Sequence, residues 1–496
     1  MQTQLHRQDI EFLPVTGGLQ PSEDRSQFIE ERLQQRRDVF IVPCLDGHLI
    51  YNPHFGRLAL IDSATKDALE DFLGNPESTP TPSVAELLKT GLFELLTDDV
   101  PNPLPEQWAP TSVTFSTTQK CTLRCKYCYA DGGRLEDLDI SLPVARAALD
   151  LIMENAERQG KQPAMSFLGE GEATASWQEF TDIIEYFRGK CSERRMTGSV
   201  TLHTNGVYPA RRAAFIAEQC DTVIFSLDGL SSSHDQNRVL PNGKGSFALV
   251  MENLHGLEAL GVDVQVRSTI SQAALPELIE YVRFLGENTK VKQLHFEPVF
   301  DNSTVMRQAR DVGGLPSEAF VAAFRKARLV ASECGIELYY SGSDVRQRDS
   351  FCGVGNARNF VVTSRGLVTS CNEVLQPWDK RAGVFQYGAW DEKQQRFVFD
   401  EDRLRALFGI NVRAMRKCTG CFAKFNCAGD CYAKNATISG DPLSEVYTDR
   451  CYIARNLLRD NLVMALAASE AQGRSGAEDQ NVAERFAQSD AAPVSG

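Results

Sequence analysis

Ten of the 14 cysteines in this chain fall into two groups whose spacing suits metal binding. The first, C-T-L-R-C-K-Y-C, sets Cys121, Cys125 and Cys128 at C-x3-C-x2-C, directly after a short strand-like run at 112–116. Three thiolates are one short of the four-cysteine set of an ordinary [4Fe–4S] cluster, so one iron would stay open to another ligand. A zinc site lacking its fourth ligand is the other reading, and the spacing alone leaves both open. The second group is Cys352, Cys371, Cys418, Cys421, Cys427, Cys431 and Cys451, with C-T-G-C-F-A-K-F-N-C-A-G-D-C at its centre. In a reducing compartment, clustered thiols are metal ligands more often than disulfides. Cys44, Cys191, Cys220 and Cys334 lie in or beside predicted elements and read as inert core thiols.

The 496 residues are enough for two to four domains, and 42% hydrophobic with 24% charged is an ordinary globular balance. The net charge of −14 and the lack of a basic block argue against nucleic-acid binding. No apolar run approaches the roughly 20 residues of a spanning helix, and the first residues show no apolar signal core, so a cytoplasmic protein without membrane partners is expected.

The elements that must position these cysteines follow from periodicity. Residues 1–108 read as an N-terminal module. It has strands at 39–43 and 48–51 around Asp46-Gly47, helices at 64–73 and 84–96 with a Pro-rich linker between them, and a second Pro cluster at 101–110. From 109 to 325 strands alternate with helices: strands at 112–116, 164–168, 199–203, 222–226, 262–269 and 293–296. Such βα units build a parallel sheet by right-handed crossovers, with functional residues at the strands' C-terminal ends. Those ends read F-L-G-E-G-E-A-T, H-T-N-G and F-S-L-D-G, followed by S-H-D-Q-N-R. Residues 326–346 read as a connecting segment, 347–460 as a cysteine-rich domain needing metal for stability, and 461–496 as a helix end with a disordered tail.

Over about 111–300 the chain resembles the radical SAM superfamily. The resemblance implies a partial (β/α)6 TIM barrel, with Cys121, Cys125 and Cys128 holding a [4Fe–4S] cluster whose open iron is chelated by S-adenosylmethionine (SAM). Tyr127 matches the aromatic position that contacts adenine, and Gly171 and Glu172 match the Gly and Glu of the family's G-G-E-P element. Glu170 and Ala173 depart from that element. Asn205 and Ser226 match positions facing SAM, and Arg238 matches an arginine able to pair the SAM carboxylate. A dinucleotide reading of G-E-G-E-A-T fails: a glycine is missing and two carboxylates would repel a pyrophosphate. His203, His234 and His295 lack ligand spacing and read as structural.

The second group matches the seven-cysteine SPASM domain, which implies two auxiliary [4Fe–4S] clusters. The outer would take Cys418, Cys421, Cys427 and Cys451; the inner, Cys352, Cys371 and Cys431. The inner cluster lacks a fourth cysteine, so it has an open iron, a ligand such as Asp349, or a thiol such as Cys334. The family's chemistry implies hydrogen-atom abstraction by a 5′-deoxyadenosyl radical from a ribosomally made precursor peptide. A crosslink or an oxidised residue results, with a flavodoxin or ferredoxin as electron donor. No catalytic base is assigned. The N-terminal module loosely resembles leader-peptide recognition modules, which add a peptide as a strand; a stabilising extension is the alternative. Three other functions stand beside this one: a sulfatase-maturing formylglycine enzyme, a SPASM dehydrogenase on a small alcohol, and a non-catalytic zinc scaffold. The first uses an Asp base directly after the cysteine matching Cys371, where this chain has Asn372 and then Glu373.

Overall fold

The computed structural model describes residues 39–44, 47–75, 78–93, 108–301 and 314–473. The turn residue Asp46, most of the second Pro cluster and the tail beyond 473 lie outside the described residues. The first sheet is an antiparallel meander, β1 (Phe40–Cys44), β2 (Gly47–Asn52) and β3 (Arg57–Ile61). β3 was not expected; Gly56, at φ +62°, allows the tight reversal that pairs Asn52 with Arg57. Alternation gives the sheet two apolar faces. Ile41, Ile50 and Ile61 pack on Leu69, Val84 and Leu87 of helices Ser63–Gly74 and Pro82–Lys89. Phe40, Val42, Leu49 and Tyr51 face the main core. The Tyr51 hydroxyl donates to Asn426 Oδ1 at 2.8 Å, so this module docks on the cysteine-rich region.

The main sheet begins with six parallel strands, β4 (Ser112–Phe115), β5 (Ala164–Phe167), β6 (Ser199–Thr204), β7 (Thr222–Ser226), β8 (Val264–Ile270) and β9 (Gln293–Pro298), neighbours in that order. The connecting helices include Leu142–Gln159, Trp177–Arg194, Phe247–Ala259 and Leu278–Asn288. This is the expected partial barrel. Along β8 burial alternates strictly: Val264, Val266 and Ile270 are buried, while Gln265, Arg267 and Thr269 on the other face are only partly so.

Residues 326–346 do more than connect. Helix Ser317–Glu333 buries Phe320, Phe324 and Ala327, and β10 (Glu337–Tyr339) adds a seventh parallel strand beside β9. Arg325 clamps both carboxylate oxygens of Asp460 on helix Asp449–Gly473, at 2.6 and 3.1 Å. On the opposite edge β11 (Val361–Val362) pairs parallel with β4, followed antiparallel by β12 (Leu367–Thr369), β13 (Gln386–Asp391) and β14 (Arg396–Phe399). The cysteine-rich region is therefore stitched into the barrel's sheet through backbone hydrogen bonds.

Candidate functional site

The loop after β4 carries Cys121, Cys125 and Cys128 across the C-terminal ends of the parallel strands. It is held from beneath by the loop after β5. The Glu172 amide donates to the Lys120 carbonyl at 2.9 Å, and a Cβ on Gly171 would stand 2.1 Å from that same oxygen. Only glycine fits there, because two backbones meet. Glu172 is buried. Its Oε1 accepts from Thr174 Oγ1 at 2.7 Å and Thr204 Oγ1 at 2.9 Å, and its Oε2 from the Asn205 amide at 2.7 Å. Burial raises its pKa and these donors oppose the rise. Asn205 Nδ2 lies 3.5 Å from Cys121 Sγ and donates to Thr122 Oγ1 at 3.0 Å.

On the other flank, Arg238 Nε donates to Asp228 Oδ2 at 2.8 Å, and the Tyr127 hydroxyl donates to the same oxygen. Arg238 Nη1 lies 3.9 Å from Cys125 Sγ, and its guanidinium sits over the Tyr127 ring at 5.4 Å. Asp228, fully buried, also accepts from the Thr269 amide at 2.9 Å. Asp228 was not singled out in the sequence, because L-D-G reads as a turn.

Cys121, Cys125 and Cys128 line one cavity of about 300 Å3, and it extends to Cys352, Cys371 and Cys431. Tyr127, Gly171, Glu172, Asn205, Ser226 and Arg238 all line it. Burial pushes Cys125 to about 11, Cys352 to about 12 and Cys431 to about 11, and neighbouring thiols or carboxylates push the same way. Thiols so placed ionise only against a strong local cation. Cys418, Cys421, Cys427 and Cys451 instead line a separate cavity of about 30 Å3, with Lys417 and Lys424 in its wall. Among the described residues no three His, Cys, Asp or Glu side chains close on a single-ion site; the thiols line cavities.

The cavity's floor is charged. His295 Nε2 is 3.1 Å from Glu297 Oε1, Arg450 bridges Glu297 at 3.1 Å and Asp430 at 2.9 Å, and all four are buried. This chain ties β9 to the cysteine-rich region. Burial raises the Glu297 pKa, but Arg450 and His295 outweigh it and hold the carboxyl well below its usual range. His203 also lines the cavity, with Nε2 unpartnered, and burial drives its pKa down to about 3. His234 is structural as expected, with Nδ1 accepting from the Asp228 amide at 3.2 Å. Glu170, the departure from the family element, is a tie between regions: it accepts from Ser116, Gln119, the Ser364 amide and Gln376. Asp349 faces a neighbouring cavity and pairs with Arg413 at 3.2 Å. Cys334 packs at Gly286, outside the main cavity.

Residues 115–280 match the model of the radical SAM superfamily. This is a radical SAM domain. The chain is 29% identical across 177 residues to mycofactocin maturase MftC of Mycobacterium ulcerans, covering 35% of this chain and 43% of that protein. It is 25% identical across 186 residues to the cysteine-type anaerobic sulfatase-maturating enzyme of Clostridium novyi, covering 37% and 50%. The chain thus spans about half the length of the curated relatives it matches. The solved structure of native anSMEcpe with bound AdoMet superposes with a TM-score of 0.56 at 17% identity, over 71% of this chain and 98% of that one. That likeness is one of fold, and it runs well beyond the radical SAM domain. Among the described residues no helix is long and apolar enough to cross a membrane.

Proposed function

We propose that this chain is a radical SAM enzyme that modifies a peptide, with two auxiliary iron–sulfur clusters in a SPASM-type region. The observation that carries the reading is the shared cavity: three thiols from the barrel loop and three from the cysteine-rich region line one space. The donor sets fit [4Fe–4S] clusters. Cys121, Cys125 and Cys128 would hold the SAM-binding one; Cys352, Cys371 and Cys431 the inner; Cys418, Cys421, Cys427 and Cys451 the outer. When bound, the first cluster and SAM supply one-electron cleavage of SAM and hydrogen-atom abstraction from an unactivated C–H bond.

The protein's own residues bind and orient. Among the described residues Glu172 Oε2 accepts from the Asn205 amide alone, and so keeps capacity for the SAM amino group. Arg238, fixed by Asp228, sets positive charge beside Cys125 and offers a partner for the SAM carboxylate. Tyr127 presents its ring for the adenine, and Asn205 and Ser226 complete the wall. The peptide reading draws on the relatives' names, a mycofactocin maturase and a sulfatase-maturating enzyme. Between these, the precursor-peptide maturase is favoured, because Asn372 stands where the sulfatase-maturing pattern has a basic carboxylate. A cytoplasmic setting, with a flavodoxin or ferredoxin as donor, completes the proposal.

Anaerobic reconstitution should load roughly twelve irons per chain, three clusters of four. With dithionite and SAM the protein should release deoxyadenosine, and the triple variant Cys121→Ala, Cys125→Ala, Cys128→Ala should release none while losing about four irons. Zinc in place of iron, or undiminished cleavage by the triple variant, would refute the assignment. Mass analysis of a short peptide encoded beside the gene, after co-expression, tests the substrate class by hydrogens lost.

A further inference from the structure

Building on that cluster reading, we propose that the Glu373 carboxylate is the fourth protein ligand of the inner cluster, beside Cys352, Cys371 and Cys431. Glu373 lies two residues after Cys371 and lines the same cavity as all three thiols. Its amide lies 3.4 Å from Cys371 Sγ, so the local turn folds back over that sulfur. Its Oε2 is buried with no hydrogen-bond partner. The nearest cation, Arg381, stands 3.8 Å away, beyond hydrogen-bond reach. Arg381 spends its hydrogen bonds on other atoms: both Asp379 oxygens at 3.0 and 2.9 Å, Thr437 Oγ1 at 3.0 Å and the Glu373 backbone carbonyl at 3.3 Å.

A buried carboxylate oxygen with no donor is costly, and here it shares one cavity with three cysteine thiols. Four like-signed donors around one space become mutually stable only with cationic charge at its centre. The other contenders are accounted for: Asp349 is paired with Arg413, and Cys334 packs at Gly286. Asn372 Oδ1 is also buried without a partner, but a neutral amide is a weaker donor to iron than a carboxylate.

The test uses the full chain in which Cys121, Cys125 and Cys128 are already alanine, so that only the auxiliary clusters remain, roughly eight irons. Glu373→Gln and Asn372→Ala are reconstituted anaerobically, and iron, sulfide and the EPR and Mössbauer spectra are recorded. Glu373→Gln should lose about one iron per chain and give a three-iron signal on mild oxidation. Glu373→Cys should restore the iron with a shifted reduced spectrum, which also shows that the fold survives. Asn372→Ala should leave both unchanged. Full iron and unaltered spectra in Glu373→Gln would overturn the proposal. Failure of the underlying reading looks different: the parent would hold no iron, or Cys352→Ala would leave its spectra unmoved.

Discussion

The two thiol environments of the cysteine-rich region differ in a way that separates their tasks. Cys418, Cys421, Cys427 and Cys451 close on about 30 Å3, walled by Lys417, Lys424 and Tyr447. Cys352, Cys371 and Cys431 share about 300 Å3 with the barrel thiols. Four cysteine donors round a small space leave room for a cluster and nothing else, the closed form of a structural or electron-passing site. Three donors at the wall of a larger space leave room for a partner molecule. On the proposed reading, the contrast assigns reaction to the shared cavity and support to the outer one.

The sharpest way to break this comparison is to remove one thiol from each side. Cys418→Ala should lose about four irons and lower the thermal midpoint by on the order of 10 °C, because binding energy of a metal group is folding energy where few long elements pack. Cys128→Ala should lose a similar amount of iron with a smaller thermal shift, yet abolish deoxyadenosine release. Calorimetry and iron assay check both, and equal thermal shifts would erase the distinction. Next in size is Glu170→Ala, which strips four donors of a buried acceptor that joins barrel to cysteine-rich region. Leaving buried donors unpaired should cost about 3 kcal/mol or more in denaturant unfolding, whereas Glu170→Gln should recover part of it.

The barrel was legible in the sequence because each βα unit carries its own signal: a short apolar strand, a turn and a periodic helix. The cysteine spacings were legible because metal ligands tolerate little change of interval. What hid was information that exists only across the chain. Asp228 looked like a turn residue, since nothing local reveals that Tyr127 and Arg238 both reach it. Gly171 was legible only as a match to a family element, and the structure supplies its reason, the Lys120 carbonyl packed against it. β10 and β11 have three and two residues, too few to show alternation, and each is a strand only because an edge of the barrel offers it hydrogen bonds. Glu170 seemed a lapse from a family pattern, and its reason lies at Ser364 and Gln376, some two hundred residues away.

The halves should also part company in acid. None of the seven histidines lies beyond His295, and His234 is buried on the barrel side. Burial lowers the His234 pKa from 6.5 to about 4, with Asp228 partly opposing, so the folded state keeps the ring neutral. Above pH 6.5 this has no cost. As pH falls from 6.5 to about 4 the unfolded state gains a proton that the folded state refuses, and stability drops by up to about 3 kcal/mol, at ~1.4 kcal/mol per unit. His234→Gln should flatten that slope in unfolding measured from pH 7 to 4; an unchanged slope would locate the loss elsewhere. The smallest effect belongs to a second tie between the regions, Glu136 to Arg365 at 2.7 Å. It resembles Glu170 on a map of contacts, but the Glu136 side chain is 70% exposed, so water already solvates the charge and salt screens the pair. Glu136→Ala should change stability by under about 0.5 kcal/mol and vanish from a double-mutant cycle with Arg365→Ala at high salt. A cost approaching that of Glu170→Ala would mean the seam between barrel and cysteine-rich region is held by its rim and not by its buried contacts.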